Sequence, residues 1–259
     1  MTFKERYGPW ALVTGASAGI GKEFAVQLAG VGLNLVLLAR RKERIEGLAH
    51  QLESRNKILT RTIVTDLAQP GFLTHVVAET QSMEIGLLVN NAGFGLAGKF
   101  LDHELERELA LLDVNCRAPL ILTHLFGRQM ANRKRGGIIF VSSVSGYIAT
   151  PLASTYAASK VYELFLTEAL GYELAKEGVD MLALCPGVTT TEFHQVAGLQ
   201  PVMGMAVQPV VQSALKKLGK KRVAIPGWHN RFLVWLLKLT PRSVHAPMAG
   251  WAMEKRITP

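Results

Sequence analysis

Short apolar runs alternate with longer segments of helical periodicity along the chain, and this alternation restricts the fold more than any other feature. Runs rich in Val, Ile and Leu are typical of strands buried on both faces of a parallel sheet. We predict strands at Trp10–Val13, Asn34–Leu38, Leu59–Val64, Gly86–Val89, Gly137–Val141, Asp180–Cys185 and Arg222–Ile225. We predict helices at Ile20–Ala29, Lys42–Ser54, Gly71–Ser82, Phe100–Ala131, Thr155–Glu177 and Pro209–Leu218. The alternation predicts an α/β fold with a doubly wound, seven-stranded parallel sheet.

The length and composition fit a single domain. The chain has 259 residues, of which 49% are hydrophobic and 19% are charged, enough for one large core. We expect one domain over residues 1–259, with a core at about 8–226 and a C-terminal extension at 227–259. The first residues lack the pattern of a signal peptide, so we expect a cytoplasmic location. The two cysteines, Cys116 and Cys185, have no disulfide or zinc spacing, and no metal site is predicted.

The turn after the first predicted strand is rich in glycine and leads directly into a helix. It reads Thr-Gly-Ala-Ser-Ala-Gly-Ile-Gly over residues 14–21. Glycine permits a tight turn and a close approach of backbone N–H groups to a pyrophosphate at the positive end of the helix. We therefore predict a dinucleotide site that includes Gly15, Ser17, Ala18, Gly19, Ile20 and Gly21.

The end of the second predicted strand bears on the choice of cofactor. Enzymes that bind NAD place an acid there for the adenosine ribose, but this chain has Ala39, followed by Arg40 and Arg41. An arginine pair can hold a 2′-phosphate through charge-assisted hydrogen bonds. We predict NADP(H), with Arg40 as the better candidate; the alternative is that the pair is merely a solvated helix start.

Polar residues also follow the third and fourth predicted strands, at the sheet edge where such folds bind ligands. Asp66 and Leu67 follow the third strand, and Asn91, Ala92 and Gly93 follow the fourth. Asp66 could instead cap the following helix. The Asn side chains can tie neighbouring loops to the sheet.

A tyrosine and a lysine four residues apart carry the strongest chemical signal. Tyr156 and Lys160 lie on one face of a predicted helix, because residues i and i+4 are neighbours there. A free tyrosine has a pKa of about 10, and a fixed cation nearby favours the phenolate. Ser143 closes the fifth predicted strand and could donate to a substrate oxygen beside the tyrosine. Asn115 lies inside a long helical pattern, where asparagine is unfavourable.

These motifs together resemble the short-chain dehydrogenase/reductase family. The resemblance covers residues 10 to about 191: the TGxxxGxG turn, the Asn90–Gly93 motif, the YxxxK pair, the spacing of 13 residues from Ser143 to Tyr156, and a PGxVxT-like segment. In that segment Thr189 replaces the usual aliphatic residue. The epimerase relatives of the family are disfavoured by chain length, by glycine spacing and by the absence of a separate substrate domain.

The resemblance implies a role for each matching residue. Tyr156 is the catalytic acid/base, Ser143 orients the substrate, Lys160 holds the nicotinamide ribose, and Asn115 kinks its helix and holds a water that links Lys160 to solvent. Asp66 with Leu67 contacts the adenine. The remaining implied cofactor contacts are Asn91, Ala92, Gly93, Pro186, Gly187, Val188, Thr189 and Thr191.

The implied activity is hydride transfer between NADP(H) and a carbonyl or alcohol, with reduction favoured. By analogy, the substrate is a hydrophobic small molecule such as a ketone, a 3-oxoacyl chain or a steroid. We expect a homo-oligomer, either a dimer or a tetramer, and no nucleic acid partner. The alternative is a non-catalytic NADP(H)-binding sensor or scaffold, which would not need to retain Asn115, Ser143, Tyr156 and Lys160 together.

The irregular stretch from Gly187 to Gln208 is predicted to be a mobile loop. Its apolar residues could close over an apolar substrate, or could be ordinary packing. They are Phe193, Leu199, Val202, Met203 and Met205.

The net charge of +9 is confined to the end of the chain. Residues 1–215 contain 19 Lys and Arg and 19 Asp and Glu, whereas residues 216–259 contain ten Lys and Arg and only Glu254 as an acid. The extension combines these basic residues with tryptophan and phenylalanine. Three alternatives stay open: a helix pair that covers the substrate mouth or a dimer contact, peripheral binding to an anionic membrane, or attraction of an anionic substrate.

Overall fold

Seven parallel strands form one sheet in the order β3-β2-β1-β4-β5-β6-β7. The computed structural model describes residues 1–200 and 203–257. The strands are β1 (Trp10–Thr14), β2 (Asn34–Ala39), β3 (Thr60–Val64), β4 (Ile85–Asn90), β5 (Gly136–Val141), β6 (Val179–Leu184) and β7 (Val223–Ala224). Every predicted strand is present, and the predicted doubly wound α/β sheet is confirmed.

The burial of the strands explains why their sequences are continuous apolar runs. Every residue of β4 and β5 is buried, because both faces of the sheet are covered by helices. The edge strand β3 is less covered: Ile63 is buried, whereas Arg61 and Val64 are exposed.

Helices cover both faces of the sheet. They are α1 (Phe3–Tyr7), α2 (Gly19–Gly30), α3 (Lys42–Asn56), α4 (Phe72–Thr80), α5 (Leu105–Leu112), α6 (Ala118–Asn132), α7 (Ser154–Glu173), α8 (Phe193–Val196), α9 (Val207–Lys217), α10 (Trp228–Leu239) and α11 (His245–Glu254). One core layer joins α2, α3 and α9 to the sheet through residues such as Phe24 and Val210. The other joins α4, α6 and α7 through residues such as Phe72 and Phe126.

The order of the strands positions the functional site. The chain runs outward from β1 to β3 and then returns to the other side of β1 to form β4. Loops after β1 and β4 therefore diverge to opposite faces, and a crevice opens outside the carboxyl ends of these strands. The predicted motifs lie in these loops and in those that follow β5 and β6.

The predicted helix over Phe100–Ala131 is wrong in detail. A short 3-10 turn at Phe100–Asp102 precedes α5, and a π-helical turn at Asp113–Arg117 separates α5 from α6. The stretch Leu105–Asn132 has the length and apolar character of a membrane span. However, Leu122, Phe126 and Met130 of α6 are buried in the domain core, so the stretch is a core helix of this domain.

Other boundaries differ by a few residues. The predicted helix Thr155–Glu177 changes at Leu174 to a 3-10 turn and stops at Gly178, whose φ of 75° is left-handed. The predicted loop 187–208 contains the short helix α8 and a bridge between Thr189 and Met205. Val202, one of its predicted apolar residues, lies outside the described residues.

Candidate active site

A cavity of about 490 Å³ opens at the carboxyl edge of the sheet. It collects residues from the loops after β1 to β6, from α7 and α8, and from the C-terminal extension. Predicted site residues in its wall are Gly15, Ser17, Ala18, Gly19, Ile20, Arg40, Arg41, Asp66, Leu67, Asn91, Ala92, Gly93, Ser143, Tyr156, Lys160, Pro186, Gly187, Val188, Thr189 and Thr191. Gly21 and Asn115 lie behind the wall, where they support residues that line it.

The turn after β1 has the shape that a pyrophosphate needs. Gly15 and Gly19 have φ values of 68° and 54°, which glycine adopts at little cost. A Cβ on Gly21 would meet the Asn91 amide nitrogen at 2.3 Å and the Gly15 carbonyl oxygen at 2.4 Å. The first turn of α2 carries no acidic side chain, so its positive end is free to attract an anion.

Asn91 ties this turn to β4. Its amide group donates to the carbonyl oxygens of Thr14 at 2.8 Å and Gly15 at 3.3 Å. The Thr14 hydroxyl in turn accepts from the backbone N–H groups of Asn91 and Ala92, both at 2.9 Å. The motif after β4 therefore holds two loops of the cavity together, as its sequence suggested.

The two arginines after β2 differ in their contacts. Arg41 donates to the Ser17 hydroxyl at 3.0 and 2.9 Å and pairs with Glu192 at 2.6 Å. The Arg40 side chain is 70% exposed and lies 3.5 Å from an Asp66 carboxylate oxygen. Because that is a loose surface pair, Arg40 has N–H groups available for a ligand, whereas much of Arg41 is engaged.

The alternative that Asp66 caps the following helix is wrong. The Asp66 carboxylate accepts from the backbone N–H of Ala68 at 3.0 Å in the turn after β3, whereas α4 begins at Phe72 with Gly71 as its N-cap and no side-chain cap. The same residue also lines the cavity beside Arg40. The structure thus allows a ligand contact by Asp66 without loss of the turn.

The first two turns of α7 carry Tyr156 and Lys160. The Lys160 ammonium lies 5.6 Å from the centre of the Tyr156 ring, and Lys160 is buried whereas Tyr156 is half-buried. Burial raises the pKa of Tyr156 above its ordinary value, while the Lys160 cation and the nearby Ser143 hydroxyl partly lower it. Ser143 caps the 3-10 turn after β5, where its hydroxyl accepts from the Ser145 N–H at 3.1 Å.

Asn115 occupies the middle of the π-helical turn and is completely buried. Its amide nitrogen donates to the Phe94 carbonyl and to the Ser159 hydroxyl, both at 3.0 Å, and its oxygen accepts from the Phe94 N–H at 3.2 Å. The helical irregularity implied by the resemblance is therefore present. The side chain fixes the loop after β4 against α7.

Phe193 and Leu199 of the predicted loop line the cavity, and Phe193 of α8 packs against Tyr156, with ring centres 5.3 Å apart. Two further features of the cavity were not predicted. Met253 and Arg256 reach the wall from the extension. Glu163 pairs with Lys160 below it. Only Glu163 carried a local signal, because it stands three residues after Lys160 on the same helix; the others depend on how distant segments fold back.

Apolar side chains dominate the part of the cavity beyond Tyr156. They come from the loop after β4, from the segment 193–199 and from α11. They are Phe94, Leu96, Ala97, Phe193, Val196, Ala197, Leu199 and Met253.

Comparison with known proteins agrees with this geometry. A model of the short chain dehydrogenase family matches residues 9–200. The chain is 33% identical over 238 residues to a 7beta-hydroxysteroid dehydrogenase of Collinsella aerofaciens, covering 89% of this chain and 90% of the relative. It is 32% identical over 243 residues to a very-long-chain 3-oxoacyl-CoA reductase of Phaeosphaeria nodorum, covering 89% and 71%.

Solved structures give the same picture. A 7beta-hydroxysteroid dehydrogenase superposes with a TM-score of 0.90 at 29% identity, covering 96% of this chain and 99% of the other. A short-chain dehydrogenase from Sphingobium yanoikuyae in complex with NADPH has a TM-score of 0.83 at 31% identity, covering 92% and 95%. The family match, the sheet order and the clustered Ser143, Tyr156 and Lys160 lead to one conclusion. The chain belongs to the short-chain dehydrogenase/reductase family and is an oxidoreductase.

Proposed function

We propose that the enzyme uses NADPH to reduce the carbonyl group of a bulky, apolar small molecule. The observation that carries this proposal is the meeting of Ser143, Tyr156 and Lys160 at one wall of a cavity whose outer part is apolar. The glycine turn with left-handed Gly15 and Gly19 fits the other, phosphate-binding part of a dinucleotide.

The residues at the wall have distinct tasks in such a reduction. When bound, the reduced nicotinamide supplies the hydride that the carbonyl carbon receives. Tyr156 donates its phenolic proton to the carbonyl oxygen, and Ser143 donates a hydrogen bond that stabilises the charge developing there. Lys160 stabilises the phenolate that Tyr156 becomes. In the reverse reaction, the phenolate accepts the proton of the alcohol.

Preference for NADPH rests on the end of β2. Ala39 offers no carboxylate to the adenosine ribose, and the exposed Arg40 stands beside the cavity with only a loose ion pair to Asp66. A 2′-phosphate would bring two negative charges to this guanidinium, and bidentate contact with phosphate is well suited to arginine.

The substrate class rests on the apolar outer cavity. Side chains such as Phe94, Phe193 and Met253 supply a wall that excludes water and favours a large hydrocarbon skeleton. The relatives named for hydroxysteroid and very-long-chain 3-oxoacyl-CoA substrates support the same size and polarity.

We propose further that the enzyme is a cytoplasmic homo-oligomer. Exposed apolar side chains lie on α5 and α7, including Leu105, Leu109, Phe165 and Tyr172. Two copies can cover such a surface in a self-complementary contact. Sedimentation velocity tests this part: the proposal requires a dimer or tetramer, and a monomer at micromolar concentration contradicts it.

A substrate panel tests the reduction directly. NADPH oxidation is followed with small polar aldehydes, bulky cyclic ketones, keto-steroids and 3-oxoacyl thioesters, each over a range of concentrations. We expect the highest kcat/KM among the bulky apolar carbonyl compounds. Turnover of the small polar carbonyl compounds alone would contradict the substrate class. Tight NADPH binding without any turnover would favour the sensor alternative.

A further inference from the structure

Helix α10 turns an apolar face toward solvent. Trp228, Phe232, Trp235 and Leu239 follow one another at helical spacing, and each side chain is more than half exposed. The buried residues of this helix are Asn230, Val234 and Leu237. At about 100° per residue, the two sets lie on opposite sides of the helix. The stripe is therefore the face most distant from the core, where a helix of a soluble domain ordinarily carries polar residues.

Basic side chains border this stripe. Arg231 and Lys238 lie along one edge of it, and both are exposed. Arg231 and Lys221 both stand close to Lys217: burial, followed by the repulsion from these two cations, holds the pKa of Lys217 below its ordinary value. Glu254 is the only acid after residue 215, so the charge here is left without local compensation.

We propose that the outer face of α10 lies on the surface of an anionic lipid bilayer. Aromatic side chains favour the boundary between headgroups and acyl chains, and adjacent lysine and arginine are attracted to anionic headgroups. The helix is parallel to the surface in this arrangement, because its opposite face remains packed on the domain.

The charge distribution distinguishes a bilayer from a second copy of the chain. A two-fold contact through α10 would bring Arg231 and Lys238 of one copy toward the same residues of the other, and like charges oppose that contact. An anionic surface complements the same residues.

This placement also bears on the proposed substrate class, and this step rests on the proposed function. The extension that carries the stripe continues into α11, and Met253 and Arg256 at its end line the cavity. An apolar substrate dissolved in the bilayer would thus start close to the mouth of the site.

Co-sedimentation of the full chain with vesicles tests the surface without any turnover assay. One set of vesicles contains phosphatidylglycerol with phosphatidylcholine, and the other contains phosphatidylcholine alone. We expect binding to the anionic set that weakens at high salt. The double variant Phe232→Ser with Trp235→Ser should lose binding about tenfold or more. The control pair Leu59→Ser with Val77→Ser, two exposed apolar side chains beside the edge strand β3 and outside the cavity wall, should retain it.

Three results would overturn the proposal. The first is absence of binding to anionic vesicles by the intact protein. The second is an equal loss of binding for the two double variants when both melt cooperatively like the wild type. The third is concentration-dependent self-association that only the α10 variant abolishes, since this would make the stripe a contact between copies.

A second, independent observation concerns Glu163 beneath the active site. Glu163 is 2% exposed, and both its carboxylate oxygens accept from the Lys160 ammonium, at 2.8 and 3.0 Å. Lys160 makes a third hydrogen bond to the Val141 carbonyl at 3.0 Å. The ammonium is thus held from below by both oxygens of the Glu163 carboxyl group and by a backbone carbonyl dipole.

Titratable groups from neighbouring segments face the Lys160–Glu163 pair. They are Tyr156 on α7, Cys116 on the π-helical turn and Cys185 directly after β6. Burial raises the pKa of Cys116 to about 11 and that of Cys185 to about 12, so both thiols are neutral at physiological pH. Burial also raises the pKa of Glu163 to about 7, against the opposing effect of Lys160.

We propose that Glu163 is a positioning residue. It fixes the Lys160 ammonium and weakens the effect of that positive charge on the pKa of Tyr156. A lysine without this partner would stabilise the phenolate more strongly. With the partner, Tyr156 keeps its proton to higher pH, which is the form that a proton donor in carbonyl reduction requires.

The test is a pH titration of the tyrosine itself. Phenolate absorbance near 295 nm is recorded for the NADP⁺ complex of Glu163→Gln, with the same variant carrying Tyr156→Phe as the blank that isolates this phenol. We expect its midpoint at lower pH than in the wild type, and restoration toward the wild-type midpoint by Glu163→Asp. Glu168→Gln on the exposed side of α7 controls for loss of a more distant charge.

The pH profile of activity provides a second measure of the pKa of Tyr156, and this measure rests on the proposed function. The rising limb of alcohol oxidation with NADP⁺ should move to lower pH in Glu163→Gln. An unmoved phenolate midpoint in a folded Glu163→Gln protein overturns the proposal, even where the rate falls, because a purely structural role lowers the rate without moving the midpoint. Absence of turnover with a shifted midpoint would leave Glu163 in place and contradict only the proposed reaction.

Discussion

Replacing Arg40 with alanine should weaken binding of NADPH far more than binding of NADH. Arg40 is 70% exposed and its single described ion pair, with Asp66, spans 3.5 Å. Exposed pairs of this kind contribute at most about 1 kcal/mol, so the variant should fold normally. A charge-assisted hydrogen bond to a phosphate contributes about 1.5–3 kcal/mol, which corresponds to about 10- to 100-fold in Kd at 1.4 kcal/mol per decade.

The assay is a titration of the apo protein with each cofactor, followed by calorimetry or by quenching of tryptophan fluorescence. Arg55→Ala provides the matched control, because Arg55 is also exposed on α3 but lies outside the cavity wall. Equal losses for NADPH and NADH would refute the assignment of Arg40 to the 2′-phosphate. A selective loss in Arg41→Ala instead would transfer the role to its neighbour.

Three further substitutions probe the site. Ser143→Ala should lower kcat about 100-fold or more with little change in NADPH affinity, because the hydroxyl acts on charge that develops in the reaction. A variant with the wild-type kcat and only a raised KM would contradict this role. Gly21→Ala should lower Tm and weaken NADPH binding, since its Cβ would stand 2.3 Å from the Asn91 amide and overpacking costs about 1–3 kcal/mol; wild-type Tm and affinity would show that the turn adapts. Phe193→Ala should raise KM for bulky apolar carbonyl compounds more than for small ones, because it removes part of the wall beside Tyr156; a uniform change across the panel would argue against that contact.

The sheet and the main site residues were predictable because their signals are local. A strand buried on both faces must be continuously apolar, so β4 and β5 stand out in the sequence. The glycines of the turn after β1 are required by left-handed backbone at Gly15 and Gly19. Tyr156 and Lys160 owe their proximity to helical spacing, which needs no knowledge of the tertiary fold.

The features that were missed depend on contacts between distant segments. The resemblance implied a kink at Asn115, but the hydrogen bonds between Asn115 and the Phe94 backbone were not predictable, because no periodicity within the helix reveals that partner. Phe193 was predicted only as part of a loop with two alternatives, since its contact with Tyr156 depends on how the loop after β6 folds back. Arg256 reaches the cavity only after the extension folds back, so spacing could not assign it. Glu163 was visible as a neighbour of Lys160, but its burial was not.

In the proposed reduction, Tyr156 supplies the proton to the carbonyl oxygen within the cavity. The most direct measurement compares wild type with Tyr156→Phe at saturating NADPH, using the best carbonyl compound of the panel, with NADPH affinity measured on the same samples. We predict that the variant binds NADPH within a fewfold of wild type and loses kcat by at least about 100-fold. Turnover by the variant close to the wild-type rate would show that another group supplies the proton and would contradict the account.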